Sequence, residues 1–174
     1  MSALVLIGPP GAGKTTIGQT LALKLGLGFL DTDQMVEARA GRSIGDIFLH
    51  DAEPAFRTME RAAVAEALEC GAHEGIVIAL GGGAPMEEAN AAALRTAGAV
   101  VVFLDISPAL AARRVGLNAA RPLLRESPRK VWRELMAARR PTYEALSTAI
   151  IQVDGLSAAD AADQIARLVM AKET

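Results

Sequence analysis

Gly8-Pro9-Pro10-Gly11-Ala12-Gly13-Lys14-Thr15-Thr16, residues 8–16, fits the spacing G-x-x-x-x-G-K-[ST] through Gly8, Gly13, Lys14 and Thr15. Its surroundings agree with that reading. The apolar run Ala3-Leu4-Val5-Leu6-Ile7 ahead of it predicts a buried strand, and Ile17-Gly18-Gln19-Thr20-Leu21-Ala22-Leu23 behind it predicts a helix. Glycines let such a loop wrap a polyphosphate so that several N–H groups meet one anion, while the helix N-terminus adds its positive end. Gly11, Ala12, Gly13, Lys14, Thr15 and Thr16 are therefore the expected nucleotide-binding stretch. Lys14 can reach the β- and γ-phosphates, and the Thr15 hydroxyl can ligate Mg²⁺. No Asn-Lys-x-Asp tetrapeptide, of the kind that reads guanine, occurs, so ATP is favoured over GTP.

Bulk properties narrow the partner. A chain of 174 residues that is 51% hydrophobic can bury one sizeable core, so a single domain over residues 1–174 is expected. A net charge of −2 supplies no global basic field for a nucleic-acid backbone or an anionic membrane, which leaves a small-molecule ligand. No run reaches the roughly 18 apolar residues that span a bilayer, and the opening MSALVLIGPP lacks a basic signal region. Cys70 is the one cysteine; it excludes an internal disulfide, fits a reducing cytoplasm and reads as a packing residue. A cytoplasmic monomer is the expectation.

Leu4–Ile7, 75–80, 99–104 and 149–153 are apolar and β-branched enough for buried strands, with 28–30 as a shorter fifth. Helical spacing fills the intervals. Helix starts are marked by Ser43, by Pro54 after Glu53, by Ser107-Pro108, by Ser127-Pro128 and by Ser157. The alternation predicts a three-layer α/β/α fold with a central five-stranded parallel sheet. Residues 115–126, which carry Gly, Asn and Pro with Arg121 and Arg125, have the composition of a mobile lid.

A P-loop enzyme commonly adds an acid at a strand end to hold the magnesium shell. Asp105 closes one apolar run, and Asp31 closes another and begins Asp31-Thr32-Asp33. In extended chain, residues 31 and 33 project to one side, roughly 7 Å apart, so that one carboxylate can serve the metal and the other accept a hydroxyl proton. The same triplet would also make a good helix N-terminus. Gly81-Gly82-Gly83 permits close backbone approach by a ligand. Arg57 has Glu53 and Glu60 at i−4 and i+3, the spacing of an ordinary surface ion pair. Arg139 ends a helical stretch where a cation suits the dipole, and Arg121, on the lid, is placed to neutralise charge at transfer.

In order and spacing, GPPGAGKTTIG, FLDTD, RSIGDIF with EPAFRTME, LGGGA, RPLL and RRPTYEAL resemble the shikimate kinases, over residues 4 to 153. The resemblance implies an ATP- and Mg²⁺-dependent P-loop kinase of the nucleoside-monophosphate-kinase-like fold that phosphorylates the 3-hydroxyl of shikimate on the way to chorismate and aromatic amino acids. It implies substrate-binding helices over about 32–62. Lys14 and Thr15 match its phosphate and magnesium groups, Asp31 its metal-ordering acid, and Asp33 the aspartate that holds the substrate hydroxyls and acts as base. Arg57 and Arg139 match the carboxylate clamp, Gly81, Gly82 and Gly83 the backbone under the ring, Arg121 the lid arginine, and Arg114 an arginine near adenine. Two departures stand out. Ala52 replaces a usual glycine ahead of the Arg57 helix, and Arg140 beside Arg139 leaves the clamp open by one position. A kinase for another small acid or a nucleoside monophosphate, and a nucleotide-dependent switch, are the alternatives.

Overall fold

Leu4–Ile7 forms β1, and its four side chains are buried because both faces of the strand are covered. It occupies the middle of a five-stranded, wholly parallel sheet of order β2-β3-β1-β4-β5, where β2 is Gly28–Asp31, β3 is Ile76–Ala79, β4 is Val100–Asp105 and β5 is Ala149–Gln152. These strands match the apolar runs read from sequence to within a residue or so. In the computed structural model, the described residues are 3–116 and 128–172. The expected lid, with Arg121, lies outside them except for Val115 and Gly116 at the end of a helix.

Parallel neighbours require crossovers, and helices supply them. These are α1 (Lys14–Leu25), α2 (Thr32–Ala40), α3 (Ile44–His73), α4 (Glu88–Thr96), α5 (Pro108–Gly116) and α6 (Pro128–Leu146), while α7 (Ala158–Lys172) follows the last strand. α1 packs on α7, while α3 packs on α4 and α4 on α6, so two helical layers enclose the sheet. The core between them is built from β1, β3 and β4 with Ile17 and Leu21 of α1 and Ile165 of α7. Because the chain passes from β1 to β2 on one side and from β3 to β4 across it, the carboxyl end of β1 is a topological switch point, where open α/β sheets bind ligands.

Three local expectations change. Cys70 is exposed rather than packed. α6 continues through Pro141 to Leu146, so Arg139 lies inside a helix and owes nothing to a helix end. The Ser43 cap holds, its Oγ accepting from Asp46 N–H at 3.1 Å, but α3 then runs on past the expected start at Pro54 and bends at Ala52, where φ is 65° and ψ 165°.

Candidate functional site

The loop between β1 and α1 takes its shape from two glycines. Gly8 has φ 148°, and a Cβ there would lie 2.7 Å from the Leu104 carbonyl oxygen, so only glycine allows the loop to leave the sheet at this point. Gly13 caps α1 in the left-handed region at φ 88°, which turns the first-turn N–H groups of Lys14, Thr15 and Thr16 towards the open end, where helix geometry leaves them without intrahelical partners. Ala12 differs from its neighbours. It is fully buried and its N–H donates to Pro9 O at 3.2 Å, so it stiffens the loop from within.

A cavity of about 570 Å³ opens over this helix end, lined by Gly11, Gly13, Lys14, Thr15, Thr16, Asp31, Asp33 and Arg114. The Lys14 ammonium donates to Gly8 O at 2.8 Å and Pro9 O at 3.0 Å, which folds it back over the loop. Burial pushes its pKa down to about 8, against the opposing charges of Asp33 and Asp31; Arg139 pushes the same way as burial. Arg114 donates to Gly11 O at 2.9 Å, which closes one side of the cavity.

Asp31 and Asp33 both reach this cavity, although not by the predicted route. β2 ends at Asp31 and α2 begins at Thr32, so the triplet is not extended and the same-side alternation does not apply. Asp31 is the N-cap: its Oδ1 accepts from Asp33 N–H at 2.9 Å and Gln34 N–H at 3.2 Å. Its Oδ2 accepts from the Thr15 hydroxyl at 2.6 Å, which brings the two predicted metal groups into contact. Asp33, in the first helical turn, points at the glycine loop, where a Cβ on Gly81 would stand 2.4 Å from its Oδ1. Asp105, the rival acid, is committed elsewhere: both of its oxygens accept from Arg140, at 3.0 and 2.7 Å, and Oδ2 also accepts from Gln152 Nε2 at 2.9 Å.

The glycine loop after β3 has an acid at one end and a cation at the other. A Cβ on Gly83 would lie 2.8 Å from Arg57 Nη1, as one on Gly81 would meet Asp33. Arg57 does form the ion pairs its spacing suggested, to Glu53 Oε1 at 3.2 Å and Glu60 Oε2 at 2.7 Å. One of them is not on the surface, since Glu60 is only 1% exposed. Burial pushes the Glu60 carboxyl up, and Arg57 pulls it back down. The loop itself is tied from both sides. Gly81 N–H donates to the buried Thr32 hydroxyl at 3.0 Å, and the Tyr143 hydroxyl donates to Gly82 O at 2.6 Å. Arg139, one helical turn before Tyr143, is close enough to that phenol and to Lys14 for its charge to be felt by both.

A family model described as Shikimate kinase matches residues 10–170. The chain belongs to the shikimate kinase family. Among its relatives, a shikimate kinase of Streptomyces coelicolor is 51% identical over 87% of this chain and 86% of its own length. One of Thermobifida fusca is 49% identical over 94% and 92%. In three dimensions the chain is similar to the shikimate kinase from Acinetobacter baumannii in complex with shikimate, with a TM-score of 0.91 and 34% identity, covering 99% of this chain and 94% of the other. As a shikimate kinase family member with a P-loop kinase fold, the protein is an enzyme that takes ATP and a small-molecule substrate.

Sequence reading missed four features of this site. Glu60, at i+3 from Arg57, reads as half of a surface pair because spacing says nothing of burial. Thr32 and Tyr143 carry no motif of their own; both are found only by asking what satisfies the glycine loop's backbone. Val153, Leu156 and Ala158, after β5, add apolar lining to the same cavity. Among the described residues, no helix is long and apolar enough to cross a membrane.

Proposed function

We propose that the protein transfers the γ-phosphoryl group of ATP to the 3-hydroxyl of shikimate, as a cytoplasmic monomeric enzyme formed by one domain over residues 1–174. The observation that carries this reading is the side-chain-free strip Gly81–Gly83, with Asp33 at one end, Arg57 at the other and the Lys14 loop beyond Asp33. Two residue steps span about 7 Å at most. A six-membered ring with a hydroxyl at one edge and a carboxylate at the opposite edge matches that span. Its hydroxyl would meet Asp33 and its carboxylate Arg57, with Arg139 as the second cation of the clamp. Arg140 does not compete for this role, because Asp105 holds its fork.

A divalent cation fits the same site. The Thr15 hydroxyl and the Asp31 carboxylate, 2.6 Å apart beside the phosphate loop, are the hard oxygen donors that Mg²⁺ takes. Bound there with ATP, it would neutralise charge on the β- and γ-phosphates. The chain's own residues do the rest. First-turn N–H groups and Lys14 hold the phosphates, Asp33 orients the hydroxyl and accepts its proton, and the clamp fixes the ring so that one oxygen faces the phosphorus. Arg121 is assigned by resemblance to charge neutralisation at the transferred group, on a lid over about 115–126.

Incubating the purified protein with ATP, Mg²⁺ and, separately, shikimate, quinate, gluconate and nucleoside monophosphates tests the proposal. Phosphate ester is expected from shikimate, and its absence rejects the reading. Asp33→Asn should lower turnover by at least about 10²-fold with ATP affinity retained; near-normal turnover removes Asp33 as the base.

A further inference from the structure

We infer that Thr32 is a positioning residue for phosphoryl transfer: its buried hydroxyl joins the turn that carries Asp33 to the backbone of the glycine loop, so that the base and the ring platform keep one spacing. The inference rests on the proposed phosphorylation of shikimate and adds a residue to it.

The ladder between β2 and β3 ends where Asp31 pairs with Ala79. Beyond that rung the two chains part, since Thr32 opens α2 while β3 leads on through Leu80 to Gly81. Gly81 is buried, so a ladder that simply stopped would leave its N–H with neither water nor a partner. The Thr32 hydroxyl accepts from it at 3.0 Å. The hydroxyl's own proton goes to Ala79 O at 3.5 Å, a long bond, which leaves the oxygen's lone pairs for Gly81. Thr32 has no exposed surface, and packing alone would be served by valine, which has nearly the same shape and no desolvation cost. Its hydroxyl is therefore there for the bonds it makes.

The consequence is geometric. On one side of Thr32, Asp31 is fixed by its bonds from Thr15, Asp33 N–H and Gln34 N–H. On the other, Asp33 Oδ1 stands where a Cβ on Gly81 would come within 2.4 Å of it. The Thr32 bond thus ties the backbone that carries the base to the backbone on which the ring would rest. Two further contacts hold the strip from elsewhere: the Tyr143 hydroxyl donates to Gly82 O at 2.6 Å, and a Cβ on Gly82 would lie 3.0 Å from Pro10 Cδ. They fix it against α6 and the phosphate loop, whereas Thr32 fixes it against the acid.

Thr32→Val exchanges the bond to Gly81 N–H for a van der Waals contact of about 3.5–4 Å, so the strip and Asp33 move apart by roughly half an ångström or more. A misplacement of about 1 Å costs on the order of 10²-fold in rate, so a fall of about tenfold in kcat is expected. KM for shikimate should stay within about threefold, because the cationic clamp is untouched. KM for ATP and the half-saturating Mg²⁺ concentration should stay within about twofold, because the bonds that fix Asp31 do not involve the Thr32 side chain. Thr32→Ser restores the hydroxyl and should bring kcat back to within about threefold of wild type.

An unchanged kcat in Thr32→Val, with only Tm lowered, is the mark of a merely structural role and overturns the inference. So does a loss confined to KM for shikimate or to the Mg²⁺ requirement, and so does a serine variant as slow as the valine one. A wild type that leaves shikimate unphosphorylated sinks the activity and this inference together; a working wild type beside an unimpaired valine variant sinks the inference alone. If the valine variant fails to fold, amide hydrogen exchange on the ligand-free wild type decides. Gly81 N–H should exchange at least about 10²-fold more slowly than in an unstructured peptide, since its bond is made before substrate arrives; exchange at the peptide rate overturns the inference.

Discussion

Lys14 carries the most readable conflict in the molecule. Burial favours its neutral form and holds its pKa near 8, while two nearby carboxylates favour the charged form. The sign follows from linkage. A lysine lowered from 10.5 binds fewer protons folded than unfolded between those two values, so its cost to the fold is complete below about pH 8 and gone above 10.5. A polyphosphate at the loop reverses the balance, since it favours the ammonium. At pH 8, where the free enzyme holds roughly half a proton on Lys14, ATP binding should therefore take up about half a proton per site, and at pH 6.5 close to none. Calorimetry of ATP binding in two buffers of different ionisation heat measures that uptake. Asp33→Asn removes a charge that supports the ammonium, so its uptake at pH 8 should exceed that of the wild type. Equal heats in both buffers at pH 8 would remove the lowered pKa from the account.

At the scale of elements, α3 stores strain at one residue. Ala52 sits at φ 65° and ψ 165°, a region open essentially to glycine alone, and it stands where the family resemblance leads one to expect glycine. What holds it there is on either side. Phe48 and Phe56 pack across the bend with centroids 4.7 Å apart, and Arg42 pairs with Asp51 just before it. Ala52→Gly should relieve the strain and stabilise the protein by about 1 kcal/mol, raising Tm by about 2–4 °C. Ala92→Gly, on an exposed face of the regular helix α4, should do the opposite by about 0.5–1 kcal/mol. Thermal unfolding of the two variants beside wild type checks the contrast; a fall in both would mean that Ala52 is unstrained. This pair also marks what sequence can tell about elements. Buried strands declare themselves as apolar runs, and the P-loop as spacing. Whether Asp31-Thr32-Asp33 continues a strand or caps a helix depends on where β3 stops pairing with β2, which is a property of the sheet and not of the triplet. The helical stretch expected to end at Arg139 runs on for a similar reason: Pro141 costs the helix a bond, yet tertiary packing carries α6 five residues beyond it.

At the scale of the whole molecule, Arg139 and Arg140 show how the fold separates binding from stability between adjacent residues. Nothing in Arg139-Arg140-Pro141 distinguishes them, and the structure does so through a residue 35 positions from Arg140. Asp105 is buried at the end of β4 and needs a partner; Arg140 supplies a bidentate one and extends to Glu144 at 2.7 Å on its own helix. Successive helical residues point about 100° apart. With Arg140 turned to β4, Arg139 is turned to Tyr143 and Lys14. The two substitutions should therefore differ in kind. Arg140→Ala leaves a buried carboxylate with Gln152 as its remaining donor among the described contacts. Truncating one partner of a fully buried pair costs about 3–5 kcal/mol, but the Arg140 side chain is 43% exposed, so roughly 2 kcal/mol, a fall in Tm of about 4–8 °C, is the expected loss. KM for shikimate should stay within about threefold. Arg139→Ala should leave Tm within about 2 °C and raise KM for shikimate roughly 10²-fold, because a clamp deprived of one guanidinium loses charge-assisted bonds to the carboxylate. Denaturation and steady-state kinetics on both proteins decide between the two assignments. If Arg140→Ala proves the one that loses shikimate while Arg139→Ala loses stability, the clamp shifts by one position and the buried ion pair is not what orients α6.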